Sequence, residues 1–214
     1  IPGSINIGLG GMFAIWVGTL VSDVNQPILI VAEKGKEEET IMRLARVGYD
    51  TVIGYLDGGF DSWKNAGKKT ETIHSVPADE FACLCRSEAS ASCLNAEVHF
   101  STQACGQAQT RNKNFKVLDV RKPDEYQSNH LKDAVSFPLD YIWKNLDKLN
   151  KNDNYYVHCK SGYRSMIASS ILKKSGFKNL IEIAGGFEAI KKTGLEVVSA
   201  ITLDTNNESI PACT

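Results

Sequence analysis

The stretch Tyr155-Tyr156-Val157-His158-Cys159-Lys160-Ser161-Gly162-Tyr163-Arg164-Ser165 decides the fold. It opens with a short run rich in aromatic and β-branched residues, the composition of a buried strand. A polar loop with Gly162 follows. Beyond it, Ile167, Ala168, Ile171 and Leu172 share one helical face. Gly176 sits just past that helix, where a left-handed C-cap favours glycine. Leu180 to Ile183 then reads as a second buried strand, as does Val117 to Val120 upstream. Strand, helix, strand at this spacing predicts right-handed βαβ units and a parallel sheet covered by helices, an α/β fold.

The same pattern occurs earlier in the chain. Pro27-Ile28-Leu29-Ile30-Val31 is followed by a polar loop with Gly35, a helical stretch bearing Ile41, Leu44 and Ala45, then Gly48-Tyr49, Thr51-Val52-Ile53 and Gly58-Gly59-Phe60. In the later copy the counterparts are Gly162, Gly176-Phe177, Asn179-Leu180-Ile181 and Gly185-Gly186-Phe187. The loop glycine precedes the Gly-Gly-Phe by 23 residues in both. Shared spacing across several landmarks predicts two copies of one domain, over residues 1–74 and 75–214. The join falls near Thr70 to Asp79, where Gly67-Lys68-Lys69 ends one copy and Pro77 interrupts the chain. A short helix is expected near Ala78 to Cys85. The Ser-, Ala-, Asn- and Gln-rich segment 86–114 reads as a surface loop, and at that length it can conceal an element of its own.

Composition limits the function classes. The chain has 214 residues, 24 Lys plus Arg against 25 Asp plus Glu, a net charge of −1, 43% hydrophobic and 23% charged residues. That is globular composition, with no electrostatic footprint for nucleic acid or an anionic membrane. Nothing from Ile1 to Ser22 is charged, but Pro2, Asn6, Gly3, Gly8, Gly10 and Gly11 interrupt the stretch. It reads as a buried strand followed by a buried helix rather than a membrane span. No basic segment precedes it as a signal peptide requires. The six cysteines are too sparse for a disulfide scaffold and are expected to be reduced thiols in the cytoplasm.

The chemistry is expected at Cys159. It ends a strand and precedes a helix, where successive backbone N–H groups and the helix dipole converge on one point. Such a position favours the thiolate. Lys160 and Arg164 add positive charge, and Gly162 permits a backbone conformation that residues with a Cβ avoid. A cysteine buried there for packing alone would not explain why the glycine, the basic residues and the helix start coincide. The expected site is a nucleophilic sulfur in an anion cradle of Lys160, Ser161, Gly162, Tyr163, Arg164 and Ser165. Asp119 and Arg121 are expected near the loop at a strand end, with Arg121 a candidate substrate ligand. An ion pair tying that strand to the next turn, Arg121 with Glu125 for example, is the competing role and the favoured one. His158 should point away from Cys159 and pack. His130 is expected to bond to backbone in its turn.

These residues carry a family resemblance. The second copy resembles a rhodanese domain, a sulfurtransferase. The matching segments are Val117 to Tyr126, His130 to Pro138 (with Asn129 where a glycine is usual), Tyr155 to Ser165 and Gly185-Gly186-Phe187, together spanning roughly residues 75–198. Cysteine-based phosphatases of related design place five residues between Cys and Arg; here four separate Cys159 from Arg164, which suits a persulfide rather than a phosphate ester. The resemblance implies ping-pong transfer of sulfane sulfur through a persulfide on Cys159. The expected partners are small sulfur-containing anions and thiols, with thiosulfate or a low-molecular-weight persulfide as donor and a thiol or cyanide as acceptor. No cofactor is implied. A binding or regulatory module in which Cys159 is incidental is the other function the fold allows.

The first copy resembles the same family with two departures. Ala32 stands where Cys159 does, and Glu33, Glu37, Glu38 and Glu39 put negative charge where an anion would dock. That copy is expected not to transfer sulfur. Ile1 to Ile7 is similar to the family's middle signature, so the preceding strand and helix are missing, and the chain is expected to be a C-terminal piece. An inactive copy followed by an active one is similar to the end of persulfide dioxygenase–rhodanese fusions, which implies a metallo-β-lactamase-fold domain upstream in the parent protein. Cys83, Cys85, Cys93 and Cys105 with His99 lack the paired spacing of zinc knuckles, and ordinary thiols are expected. Cys213 would resolve a persulfide only if the tail folded back; a disordered tail is expected.

Overall fold

Short apolar strands with no alternation must be covered on both faces, and the chain achieves this with helical crossovers. A computed structural model describes residues 1–86 and 115–199. The first half contributes α1 (Phe13–Leu20), β1 (Ile28–Ile30), α2 (Glu37–Ala45), β2 (Val52–Tyr55) and α3 (Gly59–Asn65). The second contributes β3 (His74–Pro77), α4 (Ala78–Cys85), β4 (Lys116–Asp119), α5 (Pro123–Ser128), β5 (His130–Leu131), β6 (Val135–Ser136) and α6 (Ile142–Asn145). It continues with β7 (Tyr155–His158), α7 (Tyr163–Lys174), β8 (Leu180–Ala184), α8 (Gly186–Ile190) and β9 (Val197–Val198).

The second half forms a five-stranded sheet in the order β3-β8-β7-β4-β6, with every pairing parallel. β7 lies inside, with Val157 opposite Leu118 on one side and Glu182 on the other. Side chains alternate between two apolar clusters. Leu118, Tyr155, Val157, Cys159 and Leu180 pack with Ile167, Ala168, Ile171 and Leu172 of α7. Val117, Tyr156, Ile181 and Ile183 pack with Phe81 of α4 and Ile190 of α8. Each fully buried side chain of this kind contributes about 1.5–3 kcal/mol. The βαβ units, the helix at Ala78–Cys85 and the placement of the α7 face match the sequence expectation.

Among the described residues, the first half pairs only β1 with β2, in parallel. Its small cluster contains Phe13, Val17, Ile30, Leu44 and Tyr49. α1 joins the two halves: Phe13 and Val17 pack into that cluster, while Trp16 and Leu20 pack against Leu118 and Val157 in the second half. Trp143 Nε1 donates to the Leu20 carbonyl at 2.9 Å. Leu29 and Ile53 of the two-stranded sheet are 65% and 67% exposed.

Two expectations need correction. No strand forms within residues 1–12; the segment runs as turns and irregular backbone. Pro2 has no N–H to donate, and Gly3 and Gly11 adopt left-handed φ of 76° and 66°, incompatible with an extended run. Conversely, His74–Pro77, read as part of the join, is a strand on the edge of the second sheet, in register with Ile181 to Ala184. Pro77 is tolerated because it closes an edge strand and leads into α4. No helix among the described residues is long and apolar enough to cross a membrane. Cys93, Cys105, His99, Cys213 and the 87–114 part of the expected loop lie outside the described residues.

Candidate active site

Cys159 leaves the C-terminal end of β7, and α7 begins four residues later at Tyr163. The turn between them depends on Gly162, whose φ of 114° is left-handed. Its N–H points at Cys159 Sγ, 3.2 Å away. The Cys159 thiol also lies 3.6 Å from Ser165 Oγ in the first turn of α7. Ser165 Oγ is 2.9 Å from both the Gly162 carbonyl and Glu182 Oε1. The backbone of the loop is anchored from α8: the Phe187 N–H donates to the Cys159 carbonyl at 2.7 Å and the Glu188 N–H to the Lys160 carbonyl at 3.1 Å. Gly186 is required for this approach, since a Cβ there would stand 2.5 Å from the Cys159 carbonyl oxygen. The thiol is thus held at a helix N-terminus with a backbone donor on it, as the sequence predicts, although Cys159 is only 1% exposed.

The charges are arranged differently from expectation. Arg164 does not offer a free guanidinium to the loop; its Nη2 donates to Glu125 Oε1 at 2.9 Å and its Nη1 to Oε2. That pair holds the Glu125 carboxyl well below its usual range, at about 2. Arg121 does not pair with Glu125. Its Nε and Nη2 donate to Asp119 at 2.9 and 2.6 Å, Nη2 also reaches the Asn129 carbonyl at 2.7 Å, and the guanidinium lies 3.9 Å over the Phe187 ring. Both side chains are buried. Through Nε and Nη2 Arg121 acts as a structural clamp, because a bidentate carboxylate two residues away matches its fork. Asp119 serves that clamp.

His158 is fully buried, points to the face opposite Cys159 and stacks near Phe187 at 6.0 Å. Burial pushes its pKa down, with the nearby Asp119 opposing. It is a neutral packing group. His130 Nδ1 lies 2.8 Å from the Tyr126 carbonyl and its ring stacks on Tyr126 at 3.8 Å. Tyr163 leaves the loop toward the first half of the chain, where its hydroxyl donates to the Gly8 carbonyl at 2.6 Å. A Cβ on Gly8 would meet the Tyr163 ring at 3.1 Å, close enough that the ring would have to shift by a few tenths of an ångström. Lys160 and Ser161 are both exposed, at the mouth of the loop. A cavity of about 370 Å³ lined by Cys85, Phe115, Val117, Leu131 and Leu195 belongs to the other face of the sheet and has no part of this loop in it.

Sequence reasoning missed Glu182 and Ser75. Glu182 is 3% exposed, faces the α7 side of β8 and takes hydrogen bonds from Ser165 and from Ser75 of β3. The available signal was an acidic residue in the middle of Leu180-Ile181-Glu182-Ile183, an otherwise apolar strand.

Comparison with known proteins identifies the family. The chain matches the family model described as "Rhodanese-like domain" over residues 1–66 and again over 102–193. Thiosulfate sulfurtransferase 16, chloroplastic, of Arabidopsis thaliana is 32% identical over 92 residues, 37% of this chain and 77% of that protein. Thiosulfate sulfurtransferase PspE of Escherichia coli is 35% identical over 75 residues, 34% of this chain and 71% of that protein. Senescence-associated protein DIN1 of Raphanus sativus is 36% identical over 85 residues, and the match spans 46% of its length. Among solved structures, the Alr3790 protein from Anabaena sp. is 27% identical with a TM-score of 0.40, covering 41% of this chain and 80% of that one. With both halves matched, the chain belongs to the rhodanese-like domain family and carries that domain twice.

Proposed function

We infer that the protein is a sulfurtransferase in which Cys159 alone carries sulfur. The observation that supports this most is Cys159 Sγ at the start of α7 with the Gly162 N–H 3.2 Å away. That arrangement stabilises an anionic sulfur, either the thiolate or the terminal sulfur of a persulfide. In the first half-reaction the thiolate attacks the outer sulfur of thiosulfate or a low-molecular-weight persulfide. The donor's S–S bond breaks as the Cys159 S–S bond forms, releasing sulfite or a thiolate. In the second, a thiol or cyanide takes the outer sulfur and Cys159 leaves as the thiolate, the chemistry of thiol–disulfide exchange. No cofactor takes part.

Relatives named thiosulfate sulfurtransferases support the reaction class. The choice of donor, the cytoplasmic setting and a metallo-β-lactamase-fold neighbour in a persulfide dioxygenase fusion remain part of the proposal. The burial of Cys159, 1% exposed, is the observation that favours the other reading, a non-catalytic rhodanese-type module. Steady-state transfer from thiosulfate to cyanide or a thiol separates the two. Transfer by the wild type that is lost in Cys159→Ser is expected; a Cys159→Ser protein as active as wild type, or an inactive wild type under several donors, overturns the reading.

A further inference from the structure

Glu182 is a buried carboxylate beside the loop that the transfer scheme does not use. It stands on β8 between two neighbours in register, Ser75 of β3 and Val157 of β7. Its Oε2 accepts from the Ser75 hydroxyl, and its Oε1 accepts from Ser165 Oγ at 2.9 Å. Ser165 Oγ is in turn 3.6 Å from Cys159 Sγ. Each carboxylate oxygen thus has a serine hydroxyl within hydrogen-bond reach, and a single hydroxyl, that of Ser165, which is shared with the Gly162 carbonyl, separates the Glu182 carboxylate from the reacting sulfur. Glu182 forms no salt bridge among the described residues, whereas the other acidic groups around the loop do: Glu125 with Arg164 and Asp119 with Arg121. Lys160 at the exposed mouth is the remaining cation of the loop. The cradle thus presents backbone and hydroxyl dipoles to an anion with little surplus positive charge, over a buried negative one.

On the sulfurtransferase reading above, we propose that Glu182 is a specificity-determining residue that disfavours highly charged donors and selects ionised alkyl persulfides over thiosulfate. The transfer step has the same bonds in both cases. The Cys159 thiolate forms an S–S bond to the donor's outer sulfur while the donor's own S–S bond breaks and its electron pair leaves with the inner sulfur. The products are the Cys159 persulfide anion with an alkyl thiolate in one case, and with sulfite in the other; no proton or net electron is required. Thiosulfate brings one more negative charge into the loop than an ionised alkyl persulfide. Against a fixed charge at this range, in a medium of effective dielectric about 20, that difference amounts to roughly tenfold in rate.

The test measures the second-order rate of persulfide formation on Cys159 in the full chain, with thiosulfate and with cysteine persulfide, by single-turnover mass spectrometry. Each rate is divided by that of a small free thiol with the same donor. The wild type is expected to favour cysteine persulfide on that scale. Glu182→Gln keeps the shape, presenting its carbonyl to one serine and its amide to the other, and is expected to raise the cysteine persulfide rate about tenfold and the thiosulfate rate about a hundredfold, so that the ratio shifts about tenfold. Ser75→Ala, which removes a hydrogen bond but leaves the charge, is expected to keep the wild-type ratio. The ratio cancels any common change in folding or thiol access. A wild type that favours thiosulfate, a ratio unchanged in Glu182→Gln, or one shifted equally by Ser75→Ala overturns the assignment of specificity to this charge while leaving the transfer reaction standing. Absence of persulfide from both donors overturns the transfer reaction itself, and this inference with it.

Discussion

The loop at Ala32 and the loop at Cys159 share a backbone plan and differ in chemistry. In each, the compared residue follows a strand, two residues after β1 at Ala32 and one after β7 at Cys159, and a glycine with left-handed φ follows three residues later, Gly35 at 82° and Gly162 at 114°. A Gly-Gly pair then seats itself on the strand-end carbonyl: a Cβ on Gly59 would lie 2.4 Å from the Ala32 oxygen, and one on Gly186 would lie 2.5 Å from the Cys159 oxygen. The helix caps also match, with the Tyr49 N–H on the Leu44 carbonyl and the Phe177 N–H on the Leu172 carbonyl, both at 3.1 Å. What differs is the content. The first loop has a methyl where the second has a thiol. Its helix starts with Glu37, Glu38 and Glu39, which occupy the positive end of the dipole with the chain's own carboxylates. Rhodanese backbone geometry therefore survives without the chemistry, and the side chains of one turn decide which copy can hold an anionic sulfur.

The largest effect that would sharpen this comparison lies in the helix the copies share. Trp16→Ala opens a cavity against Leu118 and Val157 while leaving Phe13 and Val17 in the first cluster, and should cost about 3–5 kcal/mol. Urea unfolding should show one destabilised transition, because α1 serves both cores. Two transitions with only one displaced would mean that the halves fold independently. Next come the paired glycines. Gly59→Ala and Gly186→Ala each force a Cβ onto a strand-end carbonyl at left-handed φ, for about 2–4 kcal/mol each. Their stability losses should be alike, but only Gly186→Ala should slow persulfide formation, because only that carbonyl belongs to a reacting residue. Equal slowing by both would show that the first loop takes part in the reaction.

Smaller effects come from the ion pairs that brace each helix. Arg164 holds the Glu125 carboxyl down from 4.5 to about 2. A depressed folded value means stability that is complete above the unfolded value and lost as pH falls from about 4.5 toward 2. The Glu125 side chain is partly exposed, at 28%, so after discounting for screening the contribution is about 1 kcal/mol. Glu125→Gln should remove that acid-side loss from a series of urea midpoints between neutral pH and pH ~3; an unchanged acid profile would refute the assignment. The first copy has local ion pairs on its own loop helix. Lys36 and Arg43 lower the Glu39 carboxyl in the same direction, but on an exposed surface. Glu39→Gln should leave the unfolding midpoint within experimental error.

Much of this was legible in the sequence because it rests on local rules. The strand–loop–helix at Cys159, the apolar face of α7 and the repeated glycine spacing follow from periodicity and backbone sterics. The failures share a different cause. The expected Arg121–Glu125 pair gives way to Arg121–Asp119, because residues two apart in extended backbone share a face, and Glu125 is claimed by Arg164 from across the fold. β3 was read as part of a linker because four residues ending in proline have no pattern until β8 supplies a partner. Glu182 and Ser75 meet only through sheet register, a contact between residues 107 apart in sequence. The strand expected within residues 1–12 does not form because its glycines adopt turn conformations that apolar content alone does not reveal.

The most direct test of the central claim is peptide-mapped mass spectrometry of the full chain, with and without Ala32→Cys, after treatment with thiosulfate or an alkyl persulfide. The account predicts one added sulfur on Cys159 and none at position 32 even when a thiol is placed there. Sulfur absent from Cys159, or carried equally at both positions, would contradict it.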